Sequence, residues 1–190
     1  MHEKGIYHRD IKPENILLSH INLKLDNYDN EEEKIISEKP IILKLCDFGT
    51  ARYIHENEDN RIQKEKFFTH YVGSRWYRAP ELLVCTTNYD ESIDVWAAGV
   101  LMTEFFMGTP VFQGNTEAEV LASMIKVLGY PPSEYDGIYS KVGRSRESFV
   151  SSSNLKESLF LNFKEQMTNT ENKFFSFVSD VLKWKVKMRL

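Results

Sequence analysis

The sequence predicts an α+β domain, mainly helical with a small β-hairpin at its N-terminal edge, and three observations carry that prediction. Two short β-prone runs, NILLS at 15–19 and IILKLC at 41–46, lie early in the chain. The stretch SIDVWAAGVLMTEFFMG at 92–108 is apolar around nearly its whole circumference, apart from Asp94, Thr103 and Glu104. The segment from Thr116 to Gly129 carries both end signals of an amphipathic helix.

The first two runs, rich in isoleucine and leucine, read as the two strands of the hairpin. Between them DNYDNEEEKIISEK, residues 26–39, sets six acids against two lysines. That composition suits an exposed loop, with an acidic docking surface as the sharper alternative. A second polar stretch runs from His55 to His70 and leads into YVGSRWYRAPELLV. There Pro80 restricts Ala79 and is suited to a helix start. The apolar helix at 92–108 is expected to run through the domain centre, and Asp94 within it needs hydrogen-bond partners, which makes it a buried organiser of nearby backbone. In the next helix Thr116 and Glu119 form a T-x-x-E box, and Val120, Leu121, Met124, Ile125 and Leu128 make the apolar stripe. Gly129 and Pro131 then stop it. KVGRSRESFVSSSNLK, 141–156, reads as a loop. Phe174, Phe177, Val178, Val181 and Leu182 recur at helical spacing and end near Lys183.

With 28 acidic and 24 basic residues the formal charge is -4, so no general affinity for nucleic acid or an anionic membrane is expected. VWAAGVLM, from Val95, is the longest apolar run at 8 residues, against the ~20 that a spanning helix requires. Cys46 and Cys85 sit in apolar surroundings and suit buried free thiols in a reducing compartment, the cytoplasm or nucleus.

HRDIKPEN at 8–15 places an acid, a lysine and an asparagine within six positions. By itself that trio is ordinary turn chemistry. Followed by DFG at 47–49 and APE at 79–81, it resembles the catalytic loop, metal-binding motif and activation-segment end of eukaryotic protein kinases. The resemblance implies a kinase-like fold and phosphoryl transfer from ATP, with Mg2+, to serine or threonine of protein substrates. It implies Asp10 as catalytic base or as the acceptor that orients the substrate hydroxyl, Lys12 as a cation near the transferring phosphate, and Asn15 and Asp47 as magnesium ligands. His8, Phe48 and Gly49 become structural elements of that arrangement, with His8 and Phe48 as packing residues.

THYVGSRWYRAPE narrows the resemblance to the group containing mitogen-activated, cyclin-dependent, glycogen-synthase and DYRK/CLK-like kinases, and IKVLGYPP from Ile125 agrees. Thr69-His70-Tyr71 resembles the T-x-Y site of mitogen-activated and related kinases, which implies Thr69 and Tyr71 as regulatory phosphorylation sites, Thr69 served by an upstream activating kinase and Tyr71 by such a kinase or by the kinase itself. Arg9 and Arg52 receive a phosphate on Thr69, and Arg75 and Arg78 one on Tyr71; pairing of Arg75 and Arg78 with surface carboxylates is the plainer alternative. Arg78 would also shape a proline-accepting pocket, making the enzyme proline-directed. Glu81 is expected to pair with Arg189. The resemblance covers residues 1–190 as a partial kinase domain, with an inserted loop at about 19–40, an activation segment at 47–81 and a truncated C-terminal end. No G-x-G-x-x-G loop and no V-A-I-K strand occurs in the sequence. A chain inactive by itself is therefore expected, with a non-catalytic, pseudokinase-like binding module as the alternative.

Overall fold

A computed structural model of the chain describes residues 1–20, 41–53, 75–84, 89–135, 137–143 and 168–189. Four short strands and five helices order them: β1 (Ile6–Tyr7), β2 (Ile16–His20), β3 (Ile41–Leu45), β4 (Arg52–Tyr53), α1 (Pro80–Leu83), α2 (Ser92–Met107), α3 (Glu117–Leu128), α4 (Gly137–Val142) and α5 (Asn169–Val181). The mainly helical α+β architecture is the one the sequence predicts. β2 and β3 pair antiparallel from Ile16 against Leu45 to His20 against Ile41. The hairpin begins one residue later than expected, because Asn15 closes a 3-10 turn, Pro13–Asn15, instead of opening the strand. A second antiparallel pair, β1 with β4, was not readable: two residues per strand are too few to show alternation.

The core forms around α2. Trp96 is fully buried and stacks on Phe112, with centroids 5.7 Å apart, among Leu83, Val100, Leu121, Met124, Ile125 and Val178. Each such aliphatic side chain contributes about 1.5–3 kcal/mol through burial. Gly99 lets α5 approach: a Cβ there would lie 2.4 Å from Val181 Cγ1. Thr103 donates its hydroxyl to the Gly99 carbonyl, which satisfies a buried polar side chain within the helix. Glu104 accepts at 2.6 Å from the buried Tyr77 hydroxyl. Burial, reinforced by the Glu104 hydrogen bond and charge, pushes the Tyr77 phenol far above its ordinary range and keeps it a donor.

Three expectations are corrected. α2 does not stay central along its whole length. Its last turns surface, leaving Phe105 58% exposed, because α5 covers only part of that end. On α5 the buried face is Phe175, Val178 and Val181, continued by Leu182, while Phe174 is half-buried and Phe177 is 39% exposed. The apolar stripe is thus shifted by one residue in a run crowded with phenylalanine. Lys141 and Val142 are the last turn of α4 and not the start of a loop.

The capped ends behave as their sequences dictate. Thr116 accepts from the Glu119 backbone, while the Glu119 carboxylate reaches back to Asn115, one residue before the cap. Thr168 and Glu171 form a full reciprocal box. Hydrogen bonding of the Glu171 carboxylate to the Thr168 side chain first, and to its backbone N–H second, holds that carboxyl below its ordinary range. Cys46 is a half-buried free thiol; Cys85 lies outside the described residues.

Candidate active site

The catalytic-loop stretch is held from beneath by one carboxylate. Asp94, buried in the first turn of α2, accepts the backbone N–H of His8 and of Arg9, both at 2.8 Å, and lies 2.9 Å from His2 Nε2. Three partners satisfy a charge that an apolar helix would otherwise leave costly. The arrangement holds Arg9 at φ 67°, a left-handed conformation that a non-glycine residue adopts at a cost of about 1–2 kcal/mol.

Above this anchor the trio converges. Lys12 Nζ lies 2.7 Å from Asp10 Oδ2, and Asn15 Nδ2 donates both to that oxygen at 3.1 Å and to the Asp10 carbonyl at 2.7 Å. Asn15 is buried, and its backbone carbonyl accepts from the Cys46 N–H at 2.9 Å, which ties the trio to the residue before Asp47. Asp47 is exposed at φ 60°, with its Oδ1 accepting the Gly49 N–H at 3.2 Å. A carboxylate at the surface and an amide oxygen left over from the Asp10 contacts are the hard oxygen donors that magnesium takes. No cluster of three or more His, Cys, Asp or Glu suited to a metal occurs among the described residues. Magnesium fits regardless, since it binds through one or two protein groups and completes its shell with water and phosphate.

His8 is fully buried; its Nε2 lies 3.0 Å from the Cys46 carbonyl, and its ring meets Phe48 edge-on at 4.9 Å. Phe48 packs on His8 as expected, although it is itself 51% exposed. Thr50 donates its hydroxyl to the His8 carbonyl at 3.0 Å.

The four arginines part company. Arg9 donates from Nε to the Thr50 carbonyl at 2.6 Å and from Nη1 to the Tyr89 hydroxyl at 3.1 Å. Arg52 lies on β4, half-buried, opposite Tyr7. Arg78 lines a cavity of about 20 Å³ together with Arg9, Asp10 and Ala79. Arg75 turns instead toward the start of α3, with Nε 4.0 Å from Glu117 and Nη1 3.5 Å from the Asn115 carbonyl. Thr69 and Tyr71 lie outside the described residues. Farther from the loop, Arg189 grips Glu81 through two bonds of 2.5 and 2.7 Å, both residues buried, and its guanidinium carbon sits 4.9 Å from the Trp96 ring centre.

Sequence reasoning missed His2 and Tyr89. His2 stands 92 residues from Asp94 and Tyr89 80 from Arg9, so no local spacing could have pointed to either contact.

Comparison with known proteins agrees with this geometry. The family model described as "Protein kinase domain" matches residues 1–190. The chain is 42% identical over 134 residues to a glycogen synthase kinase 1 of Pyricularia oryzae, covering 70% of this chain and 27% of that protein. It is 38% identical over 173 residues to an extracellular signal-regulated kinase 1 of Candida albicans, covering 90% of this chain and 35% of the relative. Among solved structures, a chain of the yeast RNA polymerase II CTD kinase complex CTDK-1 superposes with a TM-score of 0.67 at 28% identity, over 100% of this chain and 53% of the other. The chain thus spans about a third or less of the length of these two curated relatives. Its elements are those of a kinase-like large lobe, and the chain belongs to the protein kinase domain family, close to the mitogen-activated and glycogen-synthase kinases.

Proposed function

We propose that these residues form the acceptor and metal side of a serine/threonine protein kinase site. The observation that carries this reading is the convergence of Lys12 and Asn15 on one Asp10 oxygen, in a loop held by Asp94. Asp10 would take the hydrogen bond of an incoming serine or threonine hydroxyl and aim its oxygen. Lys12, already beside that carboxylate, would offset negative charge that grows on the transferring group. Asn15 and Asp47 are the residues that would hold magnesium, which when bound spreads positive charge over phosphate oxygens. Phosphoryl transfer makes few covalent demands on a protein, so a rigid acid, a cation and two oxygen donors are the parts this lobe has to provide.

Finer features go with this proposal. Arg78 and Asp10 face one cavity, which supports a preference for proline directly after the acceptor residue. Thr69 and Tyr71 are proposed as the switch, with protein substrates and an activating kinase as partners in the cytoplasm or nucleus. No helix among the described residues is long and apolar enough to cross a membrane. The sequence holds no glycine-rich phosphate loop, so the 190 residues alone are proposed to be inactive.

The test is transfer of labelled phosphate from ATP with magnesium to serine and threonine peptides. The 190 residues alone should give none. Supplied with the small lobe of a related kinase they should transfer, and Asp10→Asn or Asp47→Asn should each lower the rate by about 100-fold or more. A variant that keeps most of its rate overturns the assignment, and equal turnover of peptides with and without the proline removes the proline-directed part.

A further inference from the structure

We propose that Tyr89 is a positioning residue for the turn that carries Asp47, acting through Arg9 and Thr50. The inference rests on the reading of Asp47 as the metal-side carboxylate, but its geometry stands apart from that reading.

Three bonds form a bridge. The Tyr89 ring packs against the hydrophobic core just ahead of α2, which fixes where its hydroxyl sits. That hydroxyl accepts from Arg9 Nη1 at 3.1 Å; Arg9 Nε donates to the Thr50 carbonyl at 2.6 Å; and Thr50 returns its own hydroxyl to the His8 carbonyl at 3.0 Å. Thr50 closes the 3-10 turn Phe48–Thr50, whose first flank is Asp47. A long arginine side chain loses considerable rotamer freedom when it is held. Here one end is anchored by the backbone bond to Asp94 and the far end by Tyr89, so the Nε–Thr50 bond forms with little further ordering.

Strain gives the bridge its purpose. Arg9 and Asp47, at φ 67° and 60°, are the non-glycine residues with positive φ among the described ones, and the Arg9–Thr50 bond joins their two turns. Conformations of this kind persist only where surroundings over-determine them. Asp94 does this for the Arg9 backbone. For the Asp47 turn, the bridge from Tyr89 adds a constraint to the Thr50 bond on the His8 carbonyl and the Phe48 contact with the His8 ring. Without the hydroxyl, Arg9 keeps its backbone anchor but its side chain can swing, and the Asp47 turn is held less firmly against relaxation toward an unstrained backbone.

The experiment is peptide-resolved amide hydrogen exchange on the 190-residue chain with Tyr89→Phe, which keeps the ring and removes only the oxygen. Exchange across residues 47–53 should accelerate about fivefold, the effect of one hydrogen bond's net contribution, while peptides of α3 keep their rates. Unchanged exchange at 47–53 overturns the proposal. Acceleration spread equally over α2, α3 and the turn overturns it as well, because that pattern marks general loosening and not positioning. The measurement uses no ATP, metal or acceptor, so its outcome is separate from whether Asp10→Asn and Asp47→Asn abolish transfer.

Discussion

Glu81 and Arg189 illustrate what a single residue decides in this lobe. Two short bonds join them in a dry setting, and further Arg189 donors reach the Lys183 and Trp184 carbonyls. Removing one partner strands the other charge, so Glu81→Gln or Arg189→Met alone should cost about 3–5 kcal/mol in urea unfolding, and the double variant should recover part of that loss. Additive losses in the cycle would show that the two side chains act independently. This pair was legible only through the resemblance, whereas Asp94 was legible by itself: an acid in an apolar helix demands a partner, and that demand is visible in sequence. Which partners answer it is not, because His2 and the two backbone amides at His8 and Arg9 reach Asp94 only through the fold.

At the scale of elements, the crossing of α2 and α5 depends on one missing methyl group. Gly99→Ala would place its Cβ against Cγ1 of Val181, a stiff buried side chain that cannot swing away. The expected cost is about 1–3 kcal/mol, read as a lower denaturation midpoint with an unchanged slope, whereas a gain in stability from improved helix propensity would refute the crowding. The helices themselves were largely readable. Thr116 to Gly129 announced both boundaries of α3 through short-range capping chemistry. The same T-x-x-E signal at Thr168–Glu171 marks the start of α5. Its buried face was misread because Phe174, Phe175 and Phe177 offer two competing stripes, and tertiary packing against Phe106 and Gly99 chooses between them. The β1–β4 pair left no trace, since strands of two residues are too short to show alternation.

Across the whole molecule, polar and apolar surface are unevenly divided. The β2–β3 hairpin shows apolar side chains on both faces, Leu18 at 68% exposed with Leu43 on one and Leu17 with Ile42 on the other, and Phe105 and Phe177 surface at the far end of α2. Patches of this kind promote association, so the 190 residues should elute as oligomers in size-exclusion chromatography with light scattering, and Leu18→Glu with Leu43→Lys should shift them toward monomer. A sharp wild-type monomer would contradict this. The bidentate grip of Arg189 on Glu81 has one more consequence, for synthesis. The two residues are 108 positions apart. At translation speeds of 5–20 residues per second the arginine leaves the ribosome roughly 5–20 s after the glutamate. Throughout that interval the nascent chain carries a carboxylate without its counter-ion and, once Trp96 has followed, an indole without its cationic cover. Chaperones and proteases therefore meet these residues during a delay set by their separation in the chain and the speed of synthesis.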